Sequence, residues 1–367
     1  MTECNQSSFS YFVKKNLTAD FKGGEISSDS GLLLLRQLDQ ELGLTKGLGD
    51  CIDDERHQSY TKQPILDLIR QRTYQIMAGY EDANDADELR HDPILKSVTG
   101  RLLSDEPLAS QPTISRFENG VTFKEIFKLL DYLLDFYISN KSKDTVVGSS
   151  PLKIIIDADS TDAPVCGNQQ LSLFHGYYGN YIYHPLLIYD GDTGELITAV
   201  LRPDNAHASR RIVAILRRII KKLKEAFKDV EITFRADGGF AIPDLYEFCE
   251  SESIDYIIGF ITNNRVLACG EKLRDTAKEK YCETQTKQRL FDDFDYQANS
   301  WDMPLRIIIK AEHNDKGSNH RFVATNMTGT PERLYDFYAL RGDCENRIKE
   351  FKERFKGWPV KLSSFCS

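Results

Sequence analysis

The sequence predicts an α/β protein, with a helical N-terminal domain, a mixed sheet flanked by helices and a mostly β insertion ahead of a last helix. Three observations carry this. Apolar residues recur near the 3.6-residue period through roughly the first 145 residues. After Pro151, short β-branched runs alternate with helical segments, and beyond Thr262 two more such runs flank a polar turn.

In order along the chain, Ser27-Ser28-Asp29-Ser30 before Gly31-Leu32-Leu33-Leu34-Leu35 predicts an N-capped helix running to about Gly43. Ile65, Leu68, Ile69, Tyr74 and Ile76 predict a second helix, ended by Gly79 and the acidic Glu81 to Asp85 segment. Phe123, Ile126, Phe127, Leu130, Leu133 and Phe136 predict a third, with a linker from Lys141-Ser142-Lys143-Asp144 to Pro151. Leu152 to Asp159, Tyr181 to Tyr189 and Glu195 to Leu201 then read as three successive strands, the last two joined by a turn at Gly191-Asp192-Thr193-Gly194. A helix with Ile212, Ile215, Leu216, Ile219, Ile220 and Leu223 on its apolar face follows, then a strand at Glu231 to Ala236, a helix near Pro243 to Ser251 and a strand at Tyr256 to Ile261. The order β-β-β-α-β-α-β is that of the RNase H-like fold. Arg306 to Lys310 and Arg321 to Thr325 predict two further strands around a hairpin turn at Asn314 to Asn319, and helix resumes from Pro331. The domain reading is 1–145 helical, 152–261 the first part of the RNase H-like core, 262–331 the β-rich insertion, and 332–367 a C-terminal helix.

With 367 residues and 41% hydrophobic composition the chain can build more than one core. The longest apolar runs fall well short of the roughly 20 residues of a membrane span, and Met1 to Phe12 lacks a charged-then-apolar leader, so a cytoplasmic protein with no membrane partner is expected. The eight cysteines include no Cys-x-x-Cys pair and the seven histidines no His-x-x-x-His pair, which argues against a zinc site or a disulfide framework. A net charge of −9 disfavours nucleic acid on average. Against that, Arg210, Arg211, Arg217, Arg218, Lys221, Lys222, Lys224 and Lys228 crowd one stretch that either contacts DNA backbone or forms a solvated face. Trp301 is read as a core side chain, with stacking on an unpaired base as the rival.

Asp157 and Asp159 close an aliphatic strand and share one face of it, since side chains alternate with period two. Asp237 closes another strand and leads into Gly238-Gly239. Acid-terminated strands of one sheet suit a hard cation with oxygen ligands, and the same residues also suit a cap or a turn.

The spacing Tyr338-x2-Arg341-x3-Glu345-x6-Lys352 resembles, position for position, the signature of a class of bacterial insertion-sequence DDE transposases. Gly31 to Leu35, Arg70-Gln71-Arg72, Gly79 to Asp85, Leu108 to Asn119 and Arg235 to Phe240 look like the transposase DDE domain group 1 family, so the similarity covers nearly the whole chain. The resemblance implies catalytic, metal-holding Asp159, Asp237 and Glu345, with Asp157 as the close rival of Asp159. It further implies phosphate or DNA contacts by Tyr338, Arg341 and Lys352, two Mg²⁺ ions for which Mn²⁺ substitutes, and cutting and joining of element ends by phosphodiester hydrolysis and strand transfer. The implied partners are terminal inverted repeats, target DNA and a second copy of the chain in the DNA complex. Near Phe355-Lys356-Gly357-Trp358-Pro359 the sequence departs from the family's pattern, so the last segment is read as a truncated catalytic helix with fewer packing partners for Glu345. The alternative is a catalytically impaired chain that only binds element ends.

Overall fold

The computed structural model describes residues 7–9, 17–19, 29–144, 151–164, 173–175, 180–202, 209–298, 301 and 303–354. The chain divides into two compact units, one comprising residues 1–136, 164–171 and 351–367 and the other residues 137–163 and 172–350.

The first unit opens with a small antiparallel pair, β1 (Ser7–Phe9) and β2 (Leu17–Ala19). Helices α1 (Leu32–Leu42), α2 (Leu44–Asp50), α3 (Ile65–Met77), α4 (Ala86–Leu89), α5 (Pro93–Thr99) and α6 (Gln111–Gly120) follow. Gly43 ends α1 in a left-handed conformation with φ 75°, which a glycine adopts without steric cost. The expected side-chain cap is not used: Gly31 holds the N-cap position, and the Asp29 carboxylate instead accepts the Tyr80 hydroxyl at 3.2 Å. Ser27 and Ser28 lie outside the described residues. Leu32, Leu33, Tyr74, Leu95, Val98 and Leu108 form one core, and Leu68, Ala86, Ala109 and Ile114 form another. Helix α7 spans Phe123–Asp144, so Lys141 to Asp144, expected in a linker, continue the helix; residues 145–150 lie outside the described residues.

In the second unit the strands are β3 (Lys153–Ser160), the two-residue β4 (Ala163–Pro164), β5 (Leu173–His175), β6 (Asn180–Tyr183), β7 (Leu186–Asp190) and β8 (Leu196–Val200). Helix α8 (Ile212–Ala226), β9 (Glu231–Ala236), α9 (Pro243–Ser251) and β10 (Asp255–Phe260) come next, then α10 (Asn264–Cys269), α11 (Glu271–Thr284), β11 (Gln288–Tyr296), β12 (Leu305–Asn314), β13 (Gly317–Thr325), α12 (Pro331–Ala339) and α13 (Gly342–Arg354). The main sheet has eight strands in the order β11-β12-β13-β10-β9-β3-β7-β8. Strands β3, β9 and β10 are parallel neighbours, while β7 runs antiparallel to β3 and β8 antiparallel to β7. The five-strand block β8-β7-β3-β9-β10, three strands laid down as a meander followed by two parallel ones, is the RNase H-like arrangement.

The predicted strand from Tyr181 to Tyr189 is two strands in different sheets: β6 ends at Tyr183 and pairs with β5, while β7 starts at Leu186 in the main sheet, with Pro185, which has no N–H to donate, at the break. The segment after β10 opens with two helices that sequence periodicity did not reveal. Helix α11 buries only Ala277 and is otherwise too polar to display an apolar stripe. The hairpin β12–β13 then pairs with β10 through β13, so these strands extend the main sheet rather than forming one of their own. Among the described residues no helix is long and apolar enough to cross a membrane.

Helix α13 is seated on the sheet: Cys344, fully buried, and Ile348 pack with Leu187 and Tyr189 of β7. The helix that carries Glu345 is thus packed on the sheet through its neighbours, with the Glu345 side chain itself exposed. Residues 355–367, which include the departure from the family's pattern, lie outside the described residues.

Candidate active site

Strands β3 and β9 are paired in register, Asp157 opposite Arg235 and Ala158 opposite Ala236. Asp159 is the next residue of β3 and Asp237 the first residue beyond β9, so the two acids follow paired positions on neighbouring strands. Asp237 then folds back to cap a short 3₁₀ turn, accepting the Gly239 N–H at 2.9 Å. It thus serves as the turn residue that its Gly-Gly context suggested, whatever else it does.

Asp159 is almost fully buried, and burial pushes its carboxyl up to about 6, an effect relieved by Arg341 and reinforced by Asp237 and Glu345. Arg341, in the break between α12 and α13, is the cation that answers it. One guanidinium nitrogen approaches Asp159 Oδ2 at 3.5 Å and another donates to Glu345 one helical turn on. Burial works against the charge of Arg341, but Tyr338, Asp159, Glu345 and Asp237 around it hold the guanidinium firmly protonated. The guanidinium carbon lies 6.0 Å from the Tyr338 ring centroid. Burial in turn pushes the Tyr338 phenol up. All three predicted acids thus act on a single guanidinium. Lys352 lies further along α13.

Asp157, the rival first acid, is committed elsewhere. Its two oxygens accept Arg235 Nε at 2.6 Å and the second guanidinium arm at 2.7 Å, with both residues sealed from solvent. Burial pushes this carboxyl up, while the paired guanidinium favours its ionised form. The third guanidinium nitrogen of Arg235 donates to the Phe337 carbonyl at 2.8 Å, and the Phe337 ring lies 5.0 Å beneath. The pair fastens the end of α12, one residue before Tyr338, to the centre of the sheet. A second sealed acid, Asp190 at the end of β7, accepts Tyr137 Oη at 2.6 Å and Lys141 Nζ at 2.7 Å. Burial alone would raise it, but those bonds and the Asp192 N–H bring it below the usual carboxylate range.

Sequence reasoning named Asp157 as a rival ligand but missed two contributors to this geometry. Arg235 is joined to Asp157 only by strand register, which no local pattern announces. Gly259 of β10 is the second: a Cβ there would sit 2.6 Å from Tyr338 Oη and 2.8 Å from Gly238 N, so only glycine lets Tyr338 lie against the Asp237 turn. Trp301 packs edge-on against Tyr246, Phe260 and Tyr296 at centroid distances of 5.8–6.1 Å, as a core side chain does. In the basic helix α8, Lys224 pairs with Glu252 and Arg217 lies over Phe248.

Among the described residues no group of three or more Asp, Glu, His or Cys side chains is gathered closely enough to hold a metal ion. The donor chemistry nevertheless fits one: Asp159, Asp237 and Glu345 offer only hard oxygen ligands and converge on one positive charge, which Arg341 at present supplies.

An RNase H-like sheet with acids at two adjacent strand ends and a third on a helix packed against it is the architecture of a DDE-type enzyme. The chain belongs to the family described as Transposase DDE domain group 1, whose description matches residues 9–366. No curated protein sequence matches it. Among solved structures it is similar to the piggyBac transposase in a cryo-EM synaptic complex with hairpin DNA, at 11% identity and a TM-score of 0.43, covering 88% of this chain and 68% of that one.

Proposed function

We propose that this transposase cuts and joins the ends of an insertion sequence, with Asp159, Asp237 and Glu345 as the catalytic carboxylates. The observation that carries the reading is the register of β3 with β9, whose last pair immediately precedes Asp159 and Asp237, together with Arg341 linking Asp159 to Glu345. These three carboxylates would hold divalent ions, Mg²⁺ with Mn²⁺ as a substitute, whose Lewis acidity offsets charge building on the phosphodiester oxygens.

In the first reaction a water oxygen bonds to phosphorus at the element's end and the P–O3′ bond breaks, freeing a 3′-hydroxyl and leaving the 5′-phosphate on the flanking strand. In the second that 3′-hydroxyl oxygen bonds to the phosphorus of a target phosphodiester and the target's own P–O3′ bond breaks, freeing a target 3′-hydroxyl, so the number of phosphodiester bonds is conserved. Arg341 suits a phosphate as a two-pronged donor and Lys352 as a point charge. Tyr338 would set the plane of Arg341. Asp157 would stand outside the reacting group, since each of its oxygens accepts from the Arg235 guanidinium inside the sheet.

The DNA would be the element's inverted repeats and a target duplex, engaged by two copies of the chain in the cytoplasm, with the N-terminal helical domain, residues 1–145, binding the ends. Asp237→Ala is expected to abolish Mg²⁺-dependent nicking of inverted-repeat DNA while leaving its binding intact in a gel-shift assay. Nicking at the unaltered rate would overturn the assignment. Repeat-specific binding by the natural chain without any nicking would instead favour a protein that only occupies element ends.

A further inference from the structure

Arg341 contacts its two acids very differently from the way Arg235 holds Asp157. Arg235 spends its whole fork on fixed partners, Asp157 of β3 and the Phe337 carbonyl of α12, with a side chain 2% exposed. Arg341 makes one long contact to Asp159 and one to Glu345, whose side chain is 57% exposed, and it starts from the helix break at Leu340–Arg341 rather than from a strand. A guanidinium has donors and no acceptor, so each of these contacts occupies carboxylate lone pairs and adds positive charge where a divalent ion would need to enter. The two cations compete for the same oxygens.

Resting on the carboxylate reading above, we infer that Arg341 is an exchange residue that couples the metal site to DNA. Without DNA its guanidinium occupies Asp159 and Glu345. A DNA phosphate offers the same fork a matching acceptor and draws it off the acids, which then become open to the divalent ion. Metal and DNA therefore favour each other's binding, and by reciprocity the coupling is equal in both directions. Metal alone does not arm the protein. Arg341 is in this sense a positioning and selectivity residue as well as a phosphate contact, and Tyr338, held against Gly259, is the surface on which it pivots.

The test is Mn²⁺ binding to the full chain in the absence of DNA, read from the free-ion electron paramagnetic resonance signal. Arg341→Gln, which removes the charge, is expected to bind Mn²⁺ at least about 5-fold more tightly than the natural chain, the lower end of ordinary coupling. Arg341→Lys keeps a point charge without the fork, and is expected to fall between the two. Asp159→Asn and Glu345→Gln are expected to bind it more weakly than the natural chain. If both Arg341 variants match the natural chain while the carboxylate variants weaken, the exchange role is wrong and the carboxylate assignment stands. If the carboxylate variants also leave Mn²⁺ binding unchanged, both ideas fall.

Discussion

Asp157 and Asp159 stand two residues apart on one strand, on the same face, and each meets an arginine, yet the two pairs behave as different devices. The inner pair is bidentate at 2.6 and 2.7 Å, sealed, and tied onward to the Phe337 carbonyl. The outer pair is a single 3.5 Å contact shared with Glu345 at the solvent edge. Asp190 with Lys141 and Tyr137 belongs with the inner kind. Saturating a buried carboxylate makes it a strut, and leaving it half-satisfied at a strand end keeps it open to another partner. The same residue types therefore serve rigidity in one place and exchange a few ångströms away.

The largest effect should come from breaking the inner pair. Arg235→Met strands the Asp157 carboxylate in the sheet, and a loss of about 3–5 kcal/mol is expected in urea denaturation, enough to unfold this unit at moderate temperature. A loss below 1 kcal/mol would put the inner pair in the same class as the outer one.

Next is Asp190, where Tyr137→Phe removes one bond to a charged acceptor and should cost about 1.5–3 kcal/mol. Its pH dependence has a definite sign. The folded-state pKa lies below the unfolded value of about 3.9, so the stabilisation is present above that value and is lost as pH falls through the folded pKa. Denaturation midpoints between pH 2 and 6 should therefore converge for Tyr137→Phe and the natural chain at the acid end, and a constant gap would contradict the assignment.

Gly259→Ala, which forces a Cβ against Tyr338 Oη, should cost about 1–3 kcal/mol. It should also lower the rate of repeat-end nicking by displacing Tyr338 from beneath Arg341. Full activity would show that Tyr338 does not need this seat.

The smallest effect sharpens the comparison most. Arg341→Gln should change stability less than the substitutions above, because its contact to Asp159 is a single one at 3.5 Å and its other partner, Glu345, is exposed, while changing Mn²⁺ binding markedly.

The residues alone marked Asp159 and Asp237 as acids that close aliphatic runs, whereas Tyr338, Arg341 and Glu345 were picked out through the resemblance to a family signature, and they straddle the break between α12 and α13. The core strands β3, β9 and β10 and helices α3, α8 and α9 were legible from local pattern, since each carries an apolar face with the period of its own geometry. What escaped the reading depends on partners far along the sequence. Arg235 meets Asp157 across 78 residues through sheet register alone, and Lys141 extends its helix because its ammonium finds Asp190 across 49. Helix α11, nearly all polar, has little periodic signal to read, and Gly259 reveals its purpose only when a tyrosine from α12 arrives against it.

Strand β11 has one further consequence. Among the described residues it pairs only with β12, so its other side presents an unmatched row of backbone donors and acceptors, the kind of border that invites a neighbouring chain to add a strand. Along that border stand Arg289, Asp292, Asp293 and Asp295, with Arg289 and Asp293 already ion-paired to residues of their own chain. A chain docking there would have to bury the remaining carboxylates unpaired, so the sheet ends in a margin that resists polymerisation into fibres.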